Sequence, residues 1–141
     1  MSQENNEEGF TLVELLVVLL ILALLAALVG PRVIGYMTAS KVKTAQIQLA
    51  AYKTALELYH LDMGRYPDAA AGLSALATAP ADAKGWSGPY LDKAVAPDPW
   101  GHPYVYQTTP DGAGYKLMSL GSDGQEGGEG DAADLAADTA P

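Results

Sequence analysis

From Phe10 to Val29 the chain reads FTLVELLVVLLILALLAALV, twenty residues interrupted by a single charge. As a helix rising about 1.5 Å per residue, this segment covers roughly 30 Å, the thickness of a bilayer's hydrocarbon core. Fifteen of the twenty are Leu, Ile, Val or Phe. Each contributes about −0.3 to −0.6 kcal/mol on the insertion scale, so together they outweigh the roughly 3 kcal/mol that Glu14 takes back. A domain of this size has too little volume to surround such a helix on all sides, which argues against a buried core helix. A cleaved secretory signal is also disfavoured: the residues before Phe10 carry no base, and no small-residue cleavage site follows the apolar run. The expectation is a retained membrane anchor, with Gly30-Pro31 marking a kink or break where proline removes a backbone donor.

Beyond Pro31 the pattern changes to one apolar face. Val42, Ala45, Leu49, Tyr52, Leu56, Tyr59 and Met63 are spaced alternately by three and four, which predicts one helical stripe covered by the chain's own domain. The helix is expected to stop near Gly64, making the run from Phe10 to about Asp62 a rod of roughly 80 Å, bent near Gly30-Pro31. Asp68 suits the cap of a short alanine-rich helix from about Ala69 to Thr78, closed by Pro80. Between Gly85 and Pro103 the concentration of Pro, Gly, Trp and Tyr predicts an irregular loop pinned by its aromatics, in which His102 is a loop or surface residue. Tyr104 to Thr108 and Tyr115 to Leu120 read as two strands joined by the turn PDGAG, hence a small antiparallel sheet. The fold class is α+β.

Charge sharpens the picture. Of 17 acidic residues, Glu4, Glu7 and Glu8 lie before the apolar run and six more follow Lys116, with no base in either stretch, while the remaining eight match the eight bases between. Nothing here offers a basic face to phosphates, which excludes nucleic acid as an expected partner. The absence of cysteine removes disulfides, thiolate metal sites and cysteine nucleophiles. No P-loop, Gly-x-Ser-x-Gly or His-Glu-x-x-His pattern occurs, so no enzyme is expected.

Two segments carry candidate chemistry. Residues 121–134, GSDGQEGGEGDAAD, hold five glycines and five carboxylates and cannot pack by themselves. By composition they are either a solvated acidic tail or a loop ordered by something that attracts several oxygens, such as calcium with its six to eight oxygen ligands. The other is Glu14, an ionisable group within an apolar span that has no base of its own as partner. Either it reaches the interface from the helix end, or its partner comes from another chain or a terminus.

The string GFTLVELLVV resembles the class III signal of type IV pilins and pseudopilins. PDPWGHPYVY and SLGSDGQEGGEGDAADL resemble two further signatures of the major pseudopilins of type II secretion systems. The resemblance implies a pilin-like fold, a long helix packed on a small antiparallel sheet with a C-terminal calcium loop. It divides the chain into a cytoplasmic leader 1–9, a membrane and assembly helix 10–31, an amphipathic half 32–63, a small α+β domain 64–120 and an acidic loop and tail 121–141. It further implies that a prepilin peptidase cuts between Gly9 and Phe10 and methylates the new amine. The mature subunit would then polymerise into a periplasmic pseudopilus, with minor pseudopilins and an inner-membrane assembly platform as partners. Its location would be the bacterial inner membrane, single-pass, with the C-terminal domain in the periplasm. The leader is acidic where such leaders usually carry Lys or Arg, and a count of flanking bases alone would place it outside; the cleavage motif implies the cytoplasmic side.

After the implied cut, Phe10 bears an amine four residues from Glu14, about 6 Å along the axis. A neighbouring helix shifted by roughly one turn could then pair its amine with this carboxylate. The implied calcium ligands are the side chains of Asp123, Asp131 and Asp134 with backbone oxygens of Leu120 and Gln125, and Glu126 and Glu129 are held in reserve. Other readings within reach of the residues are a minor pseudopilin or pilus subunit, and a membrane-anchored calcium-binding module that does not polymerise.

Overall fold

The computed structural model describes residues 9–81 and 83–137. The expected leader, apart from Gly9, and the last four residues lie outside them. One helix, α1, runs without interruption over Leu12–Met63, with Pro31 inside it. No break occurs at Gly30-Pro31. Proline omits one backbone bond, but enough remain on either side to carry the helix through. The helix ends where Gly64, at φ +71°, takes up the left-handed conformation and donates its N–H to the His60 carbonyl at 2.8 Å, a glycine stop.

By compactness the chain divides after Met37 into two units. In the first, an apolar 18-residue window of α1 has mean hydropathy 3.2 and none of it is buried. By length and composition it can cross a membrane.

The second unit holds the core. The expected stripe is the buried face: Ala45, Leu49, Tyr52, Leu56 and Tyr59 are buried, joined by Ala55. Against it pack Tyr66, Leu73, Leu76, Tyr104, Tyr115 and Leu117. The sheet consists of β1 (Val105–Thr108), β2 (Tyr115–Ser119) and β3 (Leu135–Ala136), in that order and antiparallel throughout. In β1 and β2, Val105 faces Met118 and Thr108 faces Tyr115, so the PDGAG turn closes the hairpin as expected. Tyr115 and Leu117 turn inward while Lys116 between them is exposed, the alternation of a half-buried strand. The third strand is one the sequence pattern does not predict. Ser119 pairs with Leu135 and Met118 with Ala136, which returns the chain to the sheet after the acidic loop.

The alanine-rich segment departs from expectation. Asp68 closes a turn, its Oδ1 accepting the Ala71 N–H at 2.8 Å, but it caps no helix: the chain then forms a 3-10 helix, Gly72–Leu76, that starts at Ala71 without a side-chain cap, in place of an α-helix from Ala69 to Thr78. Gly72 sits at φ +54°, which an α-helix excludes. The carbonyls of Ala75 and Leu76 are taken from outside, by the Trp86 indole at 2.9 Å and the Tyr90 N–H at 2.8 Å. Tertiary partners therefore override alanine's helix preference.

Leu56 is fully buried at the centre of this core. Leu56→Ala is expected to cost about 2–5 kcal/mol of unfolding free energy, because it removes transfer energy and leaves a void. Denaturant unfolding of the full chain in detergent, followed by tyrosine fluorescence, measures it.

Candidate functional site: the N-terminal junction and the acidic loop

At the N-terminal end, Gly9 and Phe10 are exposed and precede the helix. Thr11 caps α1: its Oγ1 accepts the Glu14 backbone N–H at 3.2 Å, and its carbonyl accepts the Leu15 N–H at 3.1 Å. Thr11-x-x-Glu14 has the spacing of a capping box, a signal that is present in the sequence but hidden by the apolar run around it. The Glu14 carboxylate lies in the first turn, where the helix dipole favours negative charge, and it is exposed among apolar neighbours.

The second site begins where β2 ends. Gly121 turns the chain at φ +66°. A Cβ there would lie 2.8 Å from the Asp131 carbonyl oxygen, so only glycine lets the two ends of the loop meet this closely. The ends are tied by the Ser122 N–H donating to that same oxygen at 2.8 Å. Within the loop, Asp123 Oδ1 accepts the Gln125 N–H at 3.0 Å and Asp134 Oδ2 accepts the Gly127 N–H at 2.9 Å. The other oxygen of Asp134, Oδ1, is buried without a hydrogen-bond partner, at a cost of about 1–3 kcal/mol.

The expected ligands thus share one loop and differ in state. Asp134 is oriented, with one oxygen held and one open. Asp123 supports its own turn. Asp131 serves the loop through its backbone. Among the described residues no three Asp, Glu or His side chains form a cluster disposed to hold a metal. The donor set is nonetheless all oxygen, and a buried carboxylate oxygen without a donor suits a hard cation such as calcium.

A network that sequence reasoning missed fastens the loop from outside. Asp98, in the proline-rich loop, is 4% exposed. Its Oδ2 accepts the Ser119 hydroxyl at 2.6 Å, and its Oδ1 accepts the N–H groups of Trp100 at 3.1 Å and His102 at 2.8 Å. Ser119 Oγ in turn accepts the Gly121 N–H at 3.3 Å. No spacing in the sequence announces a pair 21 residues apart. Aromatics pin that loop, as expected, both its own Trp86 and Tyr90 and Tyr52 from α1. Tyr52 donates to the Ala96 carbonyl at 3.3 Å and accepts the Ala96 N–H at 3.1 Å, and Tyr90 donates to Asp62 at 2.7 Å. From neighbouring β1 and the residue before it, Tyr106 donates to the Pro67 carbonyl at 2.8 Å and Tyr104 to Gln48 at 2.6 Å. Burial pushes the Tyr104 and Tyr106 phenols well above the usual tyrosine range, which keeps both as donors.

An exposed apolar helix behind a glycine–phenylalanine junction, continuous with a helix that packs on a small sheet, defines the class of pilin-like proteins with a processed N-terminus. Accordingly, residues 5–30 match the prokaryotic N-terminal methylation motif, and residues 32–138 match the family described as type II secretion system protein G. The chain belongs to that family. It is 40% identical over 136 residues to the type II secretion system core protein G of Pseudomonas aeruginosa, covering 94% of this chain and 96% of that one. The corresponding core protein G of Vibrio cholerae is 38% identical over 138 residues, covering 96% and 94%. Among solved structures, the major pseudopilin from the type 2 secretion system of enterohaemorrhagic Escherichia coli superposes with a TM-score of 0.58 at 25% identity, over 73% of this chain and 90% of that one.

Proposed function

We propose that the chain is a structural subunit, with no catalysis of its own, that polymerises into the periplasmic pseudopilus of a type II secretion system. Before assembly it waits in the inner membrane with residues 1–9 in the cytoplasm and the sheet domain in the periplasm. A prepilin peptidase removes the leader after Gly9 and methylates Phe10, and minor pseudopilins and the assembly platform are its partners. The observation that carries this reading is the junction at Gly9-Phe10, exposed and directly followed by a capped helix whose apolar span to Val29 bears one carboxylate, Glu14. The new amine of one copy and Glu14 of its neighbour supply opposite charges to a helix bundle that is otherwise apolar, which favours one stagger between subunits.

The acidic loop is read as a calcium site. Asp123, Asp131 and Asp134 would hold the ion together with backbone oxygens of Leu120 and Gln125, with Glu126 and Glu129 in reserve. The unpartnered oxygen of Asp134 supports this assignment. Bound calcium supplies positive charge that offsets repulsion among the carboxylates and links the ordering of residues 121–134 to the sheet.

Mass spectrometry of the protein purified from membranes tests the processing. The mature chain is expected to start at Phe10 and to carry one methyl group on its amine. A chain that still begins at Met1, isolated from cells with an active prepilin peptidase, overturns the proposal.

A further inference from the structure

The sequence predicts no more for His102 than a loop position, and its surroundings give it more to do. Its backbone is held on both sides by Asp98: the His102 N–H donates to Asp98 Oδ1 at 2.8 Å, and the His102 carbonyl accepts the Asp98 N–H at 2.8 Å. So anchored, the imidazole reaches the acidic loop at two points. Nδ1 lies 3.0 Å from the Gly121 carbonyl oxygen. A carbonyl cannot donate, so Nδ1 carries the proton and donates it. The ring's other edge lies against Gly124, at φ +65°, where a Cβ would stand 3.2 Å from Cε1 and Nε2. One ring therefore fixes the backbone on both sides of Asp123, two residues before it and one after.

We propose that His102 is a positioning residue for the acidic loop, presetting the backbone around Asp123 and thereby setting the loop's affinity for calcium. This rests on the calcium reading of residues 121–134. A ligand loop rich in glycine loses much backbone entropy when it closes on an ion. A clamp that fixes part of it beforehand removes that share from the cost of binding, as residues behind the ligands do in metal sites generally. His102 touches the loop only through Gly121 and Gly124, neither of which is an assigned ligand.

The test uses the full chain in detergent micelles. Calcium chloride is titrated by calorimetry, and melting is recorded in chelator and in saturating calcium. His102→Ala is expected to raise the calcium dissociation constant about 10- to 100-fold while the melting temperature in chelator changes little. His102→Phe keeps a ring over Gly124 but removes the donor, and is expected to weaken binding as well. His102→Asn, whose amide can place an N–H where Nδ1 stands, is expected to restore affinity to within a few-fold of the parent. Parent-like affinity in both the Ala and Phe variants overturns the inference, as does an Asn variant no better than Ala. An equal loss of melting temperature in chelator and in calcium overturns it too, since that marks a purely structural role. If the parent itself binds no calcium, the reading of the loop fails and this inference with it; if the parent binds and the variants match it, only the inference fails.

Discussion

Cells producing the Glu14→Ala chain are expected to contain processed, membrane-inserted subunit and no filaments. The substitution isolates the side chain, because the helix start depends on Thr11 accepting the backbone N–H of residue 14, and alanine retains that group. Insertion becomes easier, since about 3 kcal/mol of cost at most is removed from an already favourable span. On the proposed pairing, assembly loses an ion pair in a low-dielectric bundle, and the amine of Phe10 is left buried without a partner. Breaking one half of such a pair costs about 3–5 kcal/mol, or roughly a hundred- to several thousand-fold in the association constant at each contact. Repeated along a filament, that suffices to stop growth. Electron microscopy of sheared filaments, with mass spectrometry of the membrane-bound pool, measures both halves. Glu14→Gln keeps the shape and a hydrogen bond while removing the charge, and is expected to assemble poorly. Normal filaments from both variants would remove the basis for a charge-set stagger.

Chelation is expected to have the second large effect. At calcium about one hundred times above its dissociation constant, binding stabilises the folded state by about 2.7 kcal/mol. For a unit of roughly a hundred residues this corresponds to a fall in melting temperature on the order of 10 °C when EDTA is added. Asp134→Ala should abolish most of the difference, because it removes the carboxylate whose buried Oδ1 has no donor. Calcium-free stability should change less, since Oδ1 makes no hydrogen bond and only the contact of Oδ2 with the Gly127 N–H is lost. Scanning calorimetry with and without EDTA decides the matter: a melting temperature that ignores both chelator and added calcium rules out the site.

Much of the fold was legible wherever one face of one element meets the core. The three-and-four spacing from Ala45 to Tyr59 needs only a helix and a covered side, and those residues are the buried ones. Gly64 and the PDGAG turn were equally plain, because left-handed and turn conformations select a few residue types. What stayed hidden depends on distant partners. Residues around Gly72 fold as a 3-10 helix because Trp86 and Tyr90 claim the carbonyls of Ala75 and Leu76. β3 is two residues long, too short to display any alternation, and exists through its pairing with β2. The bonds from Asp98 to Ser119 and from His102 to Gly121 join segments whose closeness only folding creates. The cap at Thr11 is a local signal, with the spacing Thr11-x-x-Glu14, that the apolar run around it masks.

The brevity of β3 bears on how the molecule survives crowding. An open sheet margin offers a row of backbone donors and acceptors on which a strand from another molecule can template. Here, among the described residues, the strand at one margin is two residues long, and the other, β1, is bracketed by Pro103 and Pro110, neither of which can donate a backbone N–H. Both margins therefore resist fusion of one copy's sheet with another's at high density.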